Sequence, residues 1–201
     1  MKIISLFGSP RPDGNSTAIA SRFIETAAGL GATTDIFELN RLVYRGCQGC
    51  CICKTKLDKC ALKDDLTDVL EALKEADAIM LATPVYCGDL PGQVKCFIDR
   101  TFSYLVPDYI NNPKPSRVPP GKKLVFIITQ GAPDEGMFAD IPKKYEAFLR
   151  RVLALDQVHV VRACGVGSGA IARGVSEKFL QQAEETARAI VIGIPPAGPS
   201  F

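Results

Sequence analysis

A chain of 201 residues that is 47% hydrophobic and 23% charged can bury one substantial core, and no linker-like stretch divides it, so residues 1–201 read as a single domain. Its 24 Lys and Arg against 22 Asp and Glu leave a net charge of +2 with no long basic run, which argues against nucleic acid as a partner. No stretch approaches the roughly 18 apolar residues of a membrane span, and the apolar start before Gly8 is too short for a signal-peptide core, so a cytoplasmic protein with no membrane contact is expected.

Lys2 to Phe7 is a short apolar run bounded by glycine and reads as the first strand. The loop that follows runs from Gly8 to Thr17 and leads into a helical pattern over Thr17 to Ala28, closed by Gly29. Strand, loop and helix entry in that order aim several amide N–H groups and the positive end of the helix dipole at one spot. Ser9, Asn15, Ser16 and Thr17 add short donors and Arg11 adds a cationic fork, so a phosphate is a fitting ligand. The same residues equally make an ordinary capped helix entry, and the loop alone does not separate the two readings. Neither a Walker A loop nor G-x-G-x-x-G is present here.

A second strand is expected over Thr34 to Leu39, followed by a cysteine-rich insertion at about 44–63. Five of the eight cysteines fall between Cys47 and Cys60. Cys47, Cys50, Cys53 and Cys60 form C-x2-C-x2-C-x6-C, which lets one short loop fold its thiolates around a single centre and suits a four-cysteine iron-sulfur cluster. Cys51 is an extra thiol; zinc, which more often takes two separated pairs, and uncommitted thiols are the other readings. A disulfide framework is the weaker one in a reducing compartment. Asp64 and Asp65 precede a helical run over Asp65 to Glu75 and most simply cap it.

Ala78 to Thr83 reads as a strand buried on both faces, and the loop from Thr83 to Gly92 carries two prolines and two glycines before a helix over Gln93 to Tyr104. The proline-rich segment at about 106–122 has no pattern of its own and is a lid, a dimer contact or a solvated connection. Leu124 to Thr129 and Gln157 to Ala163 complete the strands, with helices over Pro142 to Leu155 and Ser176 to Ile192. Cys96 and Cys164 read as structural thiols and His159 as a strand residue rather than a base. Gly165 to Ala170 fits G-x-G-x-x-A only loosely and reads as a loop, and the tail from Ile194 as a surface segment. There is no Gly-x-Ser-x-Gly elbow and no Cys-His pairing, so a hydrolase has little support.

Strands alternating with helices predict an α/β fold in three layers: a flavodoxin-like, doubly wound five-stranded parallel sheet of order 2-1-3-4-5. Its ligand crevice lies at the switch point between strands 1 and 3, where the loops after them stand side by side.

Gly8-Ser9-Pro10-Arg11 with Gly14-Asn15-Ser16, then Pro84-Val85-Tyr86 and Pro91-Gly92 with Lys95 and Phe97-Ile98-Asp99-Arg100, together resemble the NADPH-dependent FMN reductase-like branch of flavodoxin-fold proteins. The resemblance implies FMN as cofactor, its phosphate held by Ser9, Arg11, Asn15, Ser16 and Thr17. It further implies that Pro84, Val85, Tyr86, Cys87 and Gly88 border the flavin ring and that Thr129, Gln130 and Gly131 close its remaining edge. The chemistry would be flavin-centred, with no catalytic protein residue. Cys87 stands where the family commonly has a bulky residue.

Within that family the cysteine spacing resembles the iron-sulfur flavoproteins of anaerobic microbes, which places Cys47, Cys50, Cys53 and Cys60 as ligands of a [4Fe-4S] cluster, with Lys63-Asp64-Asp65-Leu66 continuing the likeness. The activity implied is an NAD(P)H-dependent FMN reductase-like oxidoreductase whose electrons leave through the cluster to an unidentified acceptor. The alternatives are an electron carrier fed by ferredoxin and, behind it, a thiol redox sensor. A homodimer or homotetramer is also implied by the resemblance.

Overall fold

The computed structural model describes residues 1–167 and 174–193. Residues 168–170 of the loop expected over Gly165 to Ala170, and the tail from Ile194, lie outside the described residues. The elements are β1 (Lys2–Phe7), α1 (Asn15–Gly29), β2 (Thr33–Glu38), α2 (Ile52–Thr55), α3 (Leu66–Glu75), β3 (Ala78–Pro84), α4 (Gly92–Arg100), β4 (Lys122–Thr129), α5 (Asp140–Val152), β5 (Leu155–Ala163) and α6 (Glu177–Ile192). A 3-10 turn over Thr101–Tyr104 extends α4. The strands form one parallel sheet of order β2-β1-β3-β4-β5, as the alternation of patterns predicts.

Apolar residues on both sides of the central strands hold the three layers together. On one face Ile3, Met80, Val125 and Ile127 pack with Ile19, Phe23 and Ala27 of α1 and Ala183, Ala187 and Ile190 of α6. On the other, Ile4, Leu6, Leu81 and Phe126 pack with α3, α4 and α5 through Leu73, Phe97 and Leu149. Near-continuous burial along β3 and β4 explains why those strands read as unbroken apolar runs rather than as alternating ones.

The boundaries differ from the sequence pattern where polar residues begin or end an element. α1 starts at Asn15 and α5 at Asp140, both two residues before their apolar periodicity is evident. The pattern over Gln93 to Tyr104 reads as one helix but tightens into a 3-10 turn after Arg100, where the Thr101 hydroxyl donates to the Ile98 carbonyl at 2.6 Å. The short helix α2 inside the cysteine insertion has no periodic signal at all. His159 sits half-buried in β5; burial, and then the Lys123 charge, lower its pKa below the usual value, consistent with a neutral strand residue. Among the described residues no helix is long and apolar enough to cross a membrane.

Candidate functional site

Three loops leave the carboxyl edge of the sheet side by side, and backbone hydrogen bonds fix their spacing. Gly8 N–H donates to the Ala82 carbonyl at 2.8 Å, joining the loop after β1 to the end of β3. Val85 N–H donates to Thr129 at 2.8 Å and Gln130 N–H to Ala163 at 2.9 Å, continuing the ladder beyond β3 and β4. At Gly8 a Cβ would lie 2.4 Å from Val94 Cγ2 and 3.2 Å from the Ala82 carbonyl oxygen, so only glycine lets the two loops approach this closely.

The loop after β1 curls onto itself. Ser9 Oγ accepts from Arg11 N–H at 3.1 Å, Gly14 N–H donates to the Arg11 carbonyl at 3.2 Å, and the Thr17 hydroxyl donates to the same carbonyl at 3.3 Å. The first intrahelical bond of α1 runs from Ala18 N–H to Gly14, which leaves the preceding amides of its first turn without intrahelical partners, as at any helix N-terminus. No side chain caps that end, so a side-chain-capped entry, one of the two readings the loop left open, is not what the helix shows. Arg11 is exposed beside it and Ser16 is buried in the first turn. Asn15 plays a different part from its neighbours: its amide donates to the Gly167 carbonyl at 2.8 Å, tying the segment after β5 to the start of α1.

After β3 the chain makes a tight reversal. Tyr86 and Asp89 exchange both backbone hydrogen bonds, at 2.8 and 3.1 Å, across Cys87 and Gly88, whose φ values are +50° and +84°. Positive φ at both central residues is a type I′ turn, for which glycine is suited and cysteine is not; Cys87 is thereby held at an exposed rim. Asp89 anchors the turn to α5, accepting from the Tyr145 hydroxyl at 2.8 Å and from Lys144 Nζ at 2.7 Å. Burial opposes ionisation of Asp89, yet Lys144, the Leu90 amide and Tyr145 hold its carboxyl below the ordinary 3.8. Its contribution is therefore present above pH 3.8 and is lost as the pH falls through the lower folded value. Asp89→Ala is expected to cost roughly 1 kcal/mol in thermal unfolding at neutral pH, because the exposed Lys144 pair adds little to the Tyr145 bond, and the difference from wild type should fade on acidification.

The loop after β4 is organised by Gln130, which is buried. Its amide donates to the carbonyls of Ala132, Asp134 and Met137, and its oxygen accepts from Arg162 at 2.7 and 3.2 Å. The Gln130 side chain is thus committed to shaping the loop, and its backbone is engaged as well, the N–H by the Ala163 carbonyl and the carbonyl by Val166 N–H at 3.1 Å.

The cysteine insertion forms a second locus. Cys47, Cys50, Cys51, Cys53 and Cys60 all line one small recess, closed behind by Leu62, Arg100 and Phe102. All eight cysteines are free thiols, and Cys53 is the buried one of the five. Cys51, at φ +53°, turns the chain into α2. Among the described residues no three ligand-type side chains converge closely enough, as they stand, to hold a metal ion. The donor set nevertheless fits a thiolate-bound cluster: five sulfurs around one recess, with no histidine or carboxylate among its lining residues.

Three cations to which sequence reasoning assigned no chemistry brace this insertion. Lys54 Nζ donates to the carbonyls of Phe102 and Leu105, both at 2.6 Å, and lies 4.2 Å over the Phe102 ring. Arg117 donates to Ser103 at 2.8 Å, to Cys53 at 3.1 Å and to Leu105, so the proline-rich segment serves as a brace for the cysteine loop. Arg100 Nε donates to Cys60 Sγ at 3.0 Å. Their partners lie 12 to 64 residues away and are mostly backbone carbonyls, so no local spacing announces them.

The family model described as NADPH-dependent FMN reductase matches residues 1–161. An iron-sulfur flavoprotein of Methanocaldococcus jannaschii is 39% identical over 101 residues, and one of Methanosarcina thermophila 35% identical over 101; each match covers 50% of this chain and 52% of the relative. The chain thus spans about half the length of these curated relatives. Among solved structures, an NAD(P)H:quinone oxidoreductase from Methanothermobacter marburgensis superposes with a TM-score of 0.71 at 19% identity, covering 94% of this chain and 96% of that one. An FMN-dependent NADH-azoreductase from Bacillus anthracis in complex with FMN gives 0.67 at 14% identity, covering 96% and 99%. At such identities these likenesses establish the shared fold. Taken with the family match over most of its length, they lead to one conclusion: the chain belongs to the NADPH-dependent FMN reductase family.

Proposed function

We propose that this protein is an FMN-dependent oxidoreductase that draws on NAD(P)H, with a [4Fe-4S] cluster on Cys47, Cys50, Cys53 and Cys60 as a one-electron outlet. The observation that carries the reading is that one helix, α4, links the two loci. At its start Gln93 Nε2 donates to the Gly8 carbonyl at 3.2 Å, and the Gln93 backbone carbonyl accepts from the Tyr44 hydroxyl at 2.6 Å. At its end Arg100 reaches Cys60. The nine residues of α4 put about 13 Å of rigid helix between the crevice and the recess.

Bound FMN supplies two-electron exchange with a reduced nicotinamide, and a cluster supplies single-electron transfer. The chain's own part is placement. The first-turn amides of α1, with Ser9, Arg11, Ser16 and Thr17, seat a phosphate. Asn15 and Gln130 lock the neighbouring loops through the bonds described above, while Pro84 to Gly88 and Thr129 to Gly131 wall a flat ring. The exposed edge at Tyr86 and Cys87 leaves one side of that wall open for a nicotinamide to approach.

Anaerobically purified protein should show flavin absorption together with iron and sulfide but no zinc, and should oxidise NADH or NADPH when an electron acceptor is added. Cys53→Ala should keep the flavin and lose the iron and sulfide. Flavin without iron or sulfide in the wild type would sink the cluster, and absence of flavin would sink the whole reading. Reduction by ferredoxin but by neither nicotinamide would instead favour the electron carrier.

A further inference from the structure

Arg100 is the largest fully buried side chain among the described residues, and its guanidinium-bearing side chain is 0% exposed. A charge so placed is costly unless each of its N–H groups is met. Nη1 donates to Asp64 Oδ2 at 2.7 Å and to the Arg45 carbonyl at 2.8 Å, Nη2 donates to Asp64 Oδ1 at 3.1 Å, and Nε donates to Cys60 Sγ at 3.0 Å. Arg45 precedes the first cysteine of the insertion and Asp64 follows the last. One planar group therefore ties down both ends of the loop and touches one of its sulfurs. Neutralising Asp64 needs only the two Nη atoms; the Nε–Sγ bond is additional and is available to arginine but not to lysine.

We propose that Arg100 is a positioning residue of the cysteine centre, fixing Cys60 toward the recess and donating a hydrogen bond to its sulfur that raises the reduction potential of the cluster bound there. The proposal rests on the cluster reading above. A donor aimed at a ligating sulfur draws electron density from it and so favours the reduced cluster, which carries one more negative charge. The loop ends, held by the same guanidinium, keep Cys60 in reach of the other three ligands.

The test uses anaerobically purified holoprotein as wild type, Arg100→Lys and Asp64→Asn, with iron and sulfide content, reduction potential by mediated titration, and the rate of iron loss to a chelator. Arg100→Lys is expected to lower the potential and to release iron about tenfold faster, as loss of an outer hydrogen bond to a ligand commonly does. Asp64→Asn keeps the Nε–Sγ bond and removes a carboxylate charge, so its potential should rise. General loosening of the loop would move both variants the same way, and that outcome, or a wild-type potential in Arg100→Lys, overturns the proposal. Should Arg100→Lys not fold, Arg100→Met with Asp64→Asn removes both charges together; its potential should fall through the lost donor alone, and an unchanged value overturns the proposal. A wild type without iron or sulfide overturns the cluster reading itself, a separate result.

Discussion

Gly8→Ala is expected to weaken flavin binding by about 10- to 100-fold while leaving a folded protein, because the new Cβ drives the loop after β1 away from β3 and α4. The methyl would sit 2.4 Å from Val94 Cγ2, 3.2 Å from the Ala82 carbonyl oxygen and 3.3 Å from Thr83 Cβ. Two of those neighbours belong to the buried end of β3 and the third to a fully buried valine of α4, so the loop is the part that moves. Overpacking of this kind costs about 1–3 kcal/mol, and if the cost falls on the arrangement that seats the phosphate, each 1.4 kcal/mol is a factor of ten in the dissociation constant. Fluorescence titration of flavin into stripped protein measures it. Val94→Ala in the same chain removes the closest clash and should restore part of the affinity, the carbonyl contact remaining. Gly29→Ala, with nothing within 4 Å of its Cβ at the far end of α1, should bind flavin as wild type does. Equal binding by Gly8→Ala and wild type would show that the crevice between these two loops is not the phosphate seat.

The same close approach shows what a sequence carries and what it hides. Strand order and layer arrangement follow from alternating patterns, because parallel strands buried on both faces must be nearly all apolar, as Ala78 to Thr83 and Leu124 to Thr129 are. The loop after β1 is legible for a local reason: its geometry depends on glycines and short polar residues at fixed places, whereas the reversal at Cys87 and Gly88 is not, because cysteine is a poor residue for positive φ. Asn15 and Gln130 illustrate the limit. Residue type marks both as ligand donors, but their hydrogen bonds go to backbone carbonyls of other loops, which only the folded arrangement brings near. Arg100, next to the aspartate that pairs with Lys95 one helical turn earlier, gives no local sign of its partners; its burial depends on the cysteine insertion folding over it. The cysteine spacing is visible from sequence, whereas the carbonyl-bound cations that shape the recess come from segments on either side with no pattern to link them.

Those cations lead to the second large effect. Arg117→Ala should open the cysteine loop selectively, exposing Cys53 while the sheet stays intact. Among the described residues Arg117 is the one side-chain donor to the Cys53 carbonyl, at 3.1 Å, and it also holds Ser103 at 2.8 Å; Leu105 keeps Lys54 at 2.6 Å. A hydrogen bond from a charged donor contributes about 1.5–3 kcal/mol, and the freed carbonyls sit in a partly buried seam, so a net local loss of about 2–3 kcal/mol is expected. If opening precedes reaction, that loss multiplies the alkylation rate of Cys53 by about 30- to 150-fold, since every 1.4 kcal/mol is tenfold. The measurement is residue-resolved mass spectrometry on reduced, metal-free protein treated with a small maleimide. Cys47 is exposed already and should react at the same rate in both proteins, which makes it the internal reference. Lys54→Met should act in the same direction, since it strips the Phe102 and Leu105 carbonyls and the contact with the Phe102 ring from the helix that carries Cys53. If Cys53 labels no faster in either variant, the recess is held by the apolar packing of Leu62 and Phe102, and the proline-rich segment is a connection rather than a brace.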